Sequence, residues 1–133
     1  MGWNAFAMED PDFYAGNYEF QVPIFVLTHH VPEKPAKGEN ENLSITFVTD
    51  GIESAMAQAK AAAGDRNVLV HGAYTAQRAL EAGVLDELQI HQIPVLFGGG
   101  RRLFEVLPSR IELEIVRVID TPEATHIRYR VHR

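Results

Sequence analysis

Val68-Leu69-Val70-His71-Gly72-Ala73-Tyr74-Thr75 runs from apolar, β-prone residues through a glycine into a helical pattern. A helix that starts there exposes several backbone N–H groups with no intrahelical partner. The helix dipole adds partial positive charge at the same place, which suits a phosphate. Gly72 lets a ligand approach the backbone with no Cβ in the way. A second Gly-rich segment, Phe97-Gly98-Gly99-Gly100-Arg101-Arg102, follows the next apolar run. Its three glycines form either a turn or a pocket wall, and Arg101 and Arg102 beside them are candidates for an anionic ligand. Two such loops after consecutive strands point to a nucleotide-binding α/β domain.

Other chemistry has less support. The sequence has six histidines, yet no His-x-x-x-His spacing or acidic-histidine cluster, so no metal site is expected. His71 either touches phosphate or is a hydrogen-bonded rim histidine, and His91 has the place of a structural strand residue. His126, Arg128, Arg130 and His132 alternate with apolar residues, a basic stripe that suits a solvated face or a contact between chains. No cysteine is present, which removes disulfides, thiolate metal ligands and a Cys nucleophile. No Ser-His-Asp order can be assembled, and no catalytic residue is assigned.

The elements that place these residues follow from local pattern. Pro23–Thr28 and Ile45–Val48 suit short buried strands. Asp50-Gly51-Ile52-Glu53 has a capping-box pattern, with Asp50 as the expected cap. Ile52, Ala55, Met56, Ala59 and Ala63 then share a helix face that Gly64 ends. Val68–Val70 is expected to be a strand, and 74–82 a helix stopped by Gly83. Asp86 and Glu87 mark a strand entry, and Leu88–Phe97 is expected to be a long strand bent at Pro94. Ile111–Ile119 and Thr125–Val131 form a hairpin around 120–123. Met8–Val22 is read as an ordered loop or short helical turn, and 30–43 as an exposed loop. Helix-linked strands of this kind are usually parallel.

Composition bounds the rest. At 133 residues the chain has the length of a single domain, 1–133. Its 46% hydrophobic and 23% charged content allows a packed core. The net charge of −6 argues against nucleic acid and anionic membranes as partners. No apolar run reaches the roughly 20 residues needed to span a bilayer. The start lacks a signal-peptide pattern, so a cytoplasmic location is expected.

Several segments in order resemble one family: Pro23–His30, Phe47–Glu53, Ala82–Leu88, Pro94–Gly100 and Arg102-Leu103-Phe104. Together they are similar to the RibD C-terminal-domain family of dihydrofolate-reductase-like proteins. The resemblance implies an α/β, three-layer fold with a mostly parallel sheet and a C-terminal antiparallel hairpin. It implies an NADPH-dependent oxidoreductase acting on a small heterocyclic or ribosylaminopyrimidine-like substrate, as in riboflavin biosynthesis. It places Leu27, Thr28 and His29 near the adenosine ribose and its phosphate. It places His71, Gly72, Ala73, Tyr74 and Thr75 around the pyrophosphate, and Gly98, Gly99 and Gly100 near the cofactor or the substrate mouth.

Two departures stand out. Trp3 occupies the family's usual Arg position, and residues 1–133 begin where the family has already supplied a first strand and helix. They support a second reading, a truncated, non-catalytic nucleotide-binding or assembly module of the same fold. A third reading makes Met1 a boundary within a longer protein. That first strand lies inside the family's sheet. Without it, strand exchange, a rearranged sheet or a partner chain is expected to fill the gap, most simply in a homodimer.

Overall fold

The computed structural model describes residues 1–7, 20–34, 39–105 and 107–132. Pro23 leads into β1 (Ile24–Leu27), which pairs in parallel with β2 (Ile45–Val48). Both are short runs of apolar and β-branched residues, and Ile24 and Val26 of β1 point into the core. A one-turn helix, α1 (Trp3–Phe6), precedes them and was not legible in the sequence. Its Phe6 is fully buried with Ile24, Val26 and Leu43, and its ring meets Phe47 edge-on at 5.7 Å.

The helix expected after Gly51 is α2 (Ile52–Ala63). Ala55, Met56 and Ala59 are its buried positions, and these mostly small side chains let it pack against β1. Gly64 ends it in a left-handed conformation, φ +58°, as expected. The next helix, α3 (Ala73–Glu81), buries Thr75, Ala79 and Leu80 and is followed by Gly83 at φ +66°.

The C-terminal half is one antiparallel sheet of β3 (Glu87–Gln92), β4 (Leu113–Asp120) and β5 (Thr125–Val131), in the order β3-β5-β4. The expected hairpin is present, closed by the Thr121 N–H donating to the Ala124 carbonyl at 3.0 Å. The shift in pairing between Ile115 and Arg117 is a bulge on the edge strand. Leu80, Leu85 and Leu88 form a second buried cluster with Ala79, backed by Tyr129 and Val131. The basic stripe of β5 is largely paired. Arg128 forks onto Glu87, and Arg130 meets Glu114 at 2.9 Å with His132 nearby. His91 lies opposite His126 across the ladder, with their rings 4.7 Å apart.

Four expectations change. Val68–Val70 forms no strand, because no described strand lies within hydrogen-bonding reach on either side of it. Among the described residues the hydrogen-bonded sheets therefore contain one parallel pair of strands, and a mostly parallel sheet is not shown. The strand expected over 88–97 stops at Gln92, two residues before Pro94, which has no N–H for the ladder. Asp50 does not cap α2, since Gly51 takes the N-cap place at φ +104° and no side chain caps that end. In the exposed loop over 30–43, Leu43 is fully buried and Asn40 organises the turn through the Asn42 and Leu43 amides. Most of the loop expected over 8–22 lies outside the described residues. No described helix is long and apolar enough to cross a membrane.

Candidate functional site

A cleft of about 940 Å³ opens where the C-terminal end of β1 meets the starts of α2 and α3. Both helices begin on a glycine with positive φ, Gly51 at +104° and Gly72 at +98°. Neither N-terminus receives a side-chain cap. The first-turn amides of each helix thus keep donors that no side chain satisfies, and Gly51, Ile52, Gly72, Ala73, Tyr74 and Thr75 all line the cleft. Two helix dipoles bring positive potential to one cavity. Asp50, had it capped α2, would have occupied those donors and placed a negative charge beside them.

The wall formed by residues 101–105 carries cations. Arg101, Arg102 and Leu103 line the cleft, and neither arginine forms an ion pair among the described residues. Gln77 holds this wall in place: its carbonyl accepts from the Glu105 N–H at 2.9 Å, while its amide donates to Glu81 at 2.9 Å. Arg78, also in the lining, is committed elsewhere. It lies 5.0 Å over the Tyr74 ring and pairs with Glu81 at 2.8 Å. Hydrogen bonds from Gln77 first and Arg78 next hold the Glu81 carboxyl below its usual range. Contacts with Tyr74 and Glu81 push the Arg78 guanidinium up.

The predicted residues divide. Leu27, Thr28, His29, Gly72, Ala73, Tyr74 and Thr75 come together around the cleft. The buried Thr28 hydroxyl donates to the His30 carbonyl at 3.0 Å, which sets the turn leaving β1. His71 lines the neighbouring groove instead. Gly98 and Gly99 do not line the cleft; the loop is exposed, and Gly98 turns at φ +70° with open space where a Cβ would stand. Arg101 and Arg102, a few residues on, enter where the glycines were expected. The N-terminus of α2 was missed because the Asp-Gly-x-Glu pattern looked self-capped. The Gln77–Glu105 link had no sequence signal.

Gly2 and Trp3 also line the cleft, and a Cβ on Gly2 would meet Thr75 Oγ1 at 2.9 Å. Among the described residues, no group of three or more His, Asp or Glu is placed to hold a metal.

Helices whose open N-termini meet a strand end in one cleft define an α/β class of protein. The RibD C-terminal domain family matches residues 4–127, and the chain belongs to that family. No curated protein sequence matches it. Among solved structures, a Shewanella sp. PV-4 protein provisionally assigned to riboflavin biosynthesis is similar in fold, with a TM-score of 0.77. The two are 24% identical, and the match covers 100% of this chain and 72% of that one.

Proposed function

We propose that the chain is an NADPH-dependent reductase of a small heterocyclic, ribosylaminopyrimidine-like substrate, with the dinucleotide held in this cleft. The convergence of two uncapped helix N-termini and two arginines that form no ion pair among the described residues carries the reading. The residues fit the group. Glycines at both helix starts leave the backbone open to phosphate oxygens, and Arg101 and Arg102 supply the charge that the family's arginine would bring where Trp3 stands. When bound, NADPH supplies a hydride. The chain's own residues bind and orient. The first-turn amides of α2 and α3 hold the pyrophosphate, the end of β1 at Leu27–His29 lies along the adenosine ribose, and the Gln77–Glu105 bond keeps the arginine wall at its distance.

Titration of NADPH fluorescence tests this. Saturable binding is expected, weakened at least tenfold by the R101A/R102A double variant. Absence of binding at millimolar NADPH removes the reading. Trp3, which lines the cleft where the resemblance implies an arginine, favours a second reading in which nucleotide binds without turnover. Saturable NADPH binding with no oxidation in the presence of a ribosylaminopyrimidine decides for it.

A further inference from the structure

The C-terminal sheet has a second face, turned away from α3 and the cleft. Leu88, Ile90, Tyr129 and Val131 pack on the α3 side. Alternation turns Gln89, His91, His126 and Arg128 to the other side. His91 and His126 are direct partners in the β3–β5 ladder, so the backbone holds their side chains together. Their Nδ1 atoms meet at 2.5 Å, with the ring planes 71° apart. Two neutral rings share such a contact only as one N–H donor and one lone-pair acceptor. Two charged rings would bring two protons and two positive charges into one gap. The pair therefore aims two nitrogens at a point that holds a single cation, a shared proton or a metal ion. Thirty-five residues separate the two histidines, so no short spacing in the sequence announces them.

We infer that His91 and His126 chelate one divalent transition-metal ion of the Zn²⁺ class through their facing Nδ1 atoms, clamping β3 to β5. A tetrahedral ion with Zn–N bonds of about 2.0–2.1 Å holds two ligand nitrogens roughly 3.3 Å apart. The rings reach that spacing by parting less than about 1 Å, through χ rotation on an open sheet face. The ion selects the Nε2–H tautomer of both rings, which frees both Nδ1 lone pairs. Imidazole suits Zn²⁺, Cu²⁺ and Ni²⁺, whereas Mg²⁺ and Ca²⁺ need oxygen ligands. The carboxylates of this face are engaged, Glu87 by Arg128 and Glu114 by Arg130, so the pair offers nitrogen rather than oxygen. Arg117 stands across the ladder from Arg128, and apolar Ile119 stands beside His126. Two protein ligands leave the remaining coordination positions to water, so the ion acts as a clamp between strands.

Calorimetric titration with Zn²⁺ tests the site. One ion per chain is expected, bound at least tenfold more weakly by His91→Gln and by His126→Gln. His132→Gln, at the end of the same stripe beside Glu114, is expected to bind as the parent does, and Mg²⁺ is expected not to bind. Parent-like zinc binding in either the His91 or the His126 variant overturns the proposal, because an ion held by one ring is not chelated. So does the absence of binding at millimolar Zn²⁺, which would leave the pair a shared-proton contact. Imidazole NMR signals of the unmodified protein provide a readout that does not depend on the variants folding. Zn²⁺ is expected to shift the rings of His91 and His126, and shifts centred on the other histidines overturn the proposal.

Discussion

Burial holds the α-amine of Met1 below the usual range for a chain terminus, because its charged form loses water when buried. One hydrogen bond to the Phe25 carbonyl replaces only part of that hydration. The unfolded chain keeps this amine near the ordinary value of about 7.7–8.0. Between the depressed value and that ordinary one, the unfolded state binds more protons than the folded state. Stability therefore rises with pH across this window and is flat above it. Nα-acetylation keeps an N–H for Phe25 but removes the charge. Thermal melts from pH 6 to 8.5 should show a Tm that climbs towards pH 8 more steeply in the unmodified protein than in the acetylated one. Parallel curves would mean that the amine is solvated.

At the scale of elements, the described residues form two hydrophobic clusters and two sheets with no ladder between them. α1 and the β1–β2 pair depend on Phe6, and the C-terminal sheet rests on Leu88 and its neighbours. Truncating a buried phenylalanine removes its transfer free energy and leaves a cavity, a loss of about 3–5 kcal/mol. Phe6→Ala should speed hydrogen exchange in β1 and β2 while the β3-β5-β4 amides stay protected, and Leu88→Ala should do the reverse. A uniform change in both variants would show one cooperative unit. Elements of local origin were legible in the sequence: α2, α3 and the β4–β5 hairpin follow from periodicity, glycine stops and turn residues. Val68–Val70 has the composition of a strand, but a strand exists only through its neighbours, which composition does not report. Asp50 was misread for a similar reason. The capping pattern fits only a helix that starts one residue earlier, and Gly51 took the cap through a backbone angle that a residue with a Cβ would adopt only with strain.

For the whole molecule, the cleft is a product of topology. Gly51 and Gly72 are far apart in sequence, and each looked like a local helix start; only the folded chain sets both beside Arg101 and Arg102. The glycine run at 98–100 showed a turn without showing its direction, so the arginines that follow it, rather than the glycines, reach the site. The cleft also spans the two clusters. Trp3 and the end of β1 come from one, and α3 with the 101–105 wall belongs to the other. A ligand that touches both walls should therefore tie together halves that share no ladder. NADPH at a hundredfold excess over its Kd should raise the unfolding free energy by about 2.7 kcal/mol. Hydrogen exchange should slow in β1–β2 as well as in β3-β5-β4, because local opening of either half would then cost the ligand its contacts. Slowing confined to α3 and its neighbours would mean that the nucleotide sits on one wall only, and that the two helix N-termini do not share it.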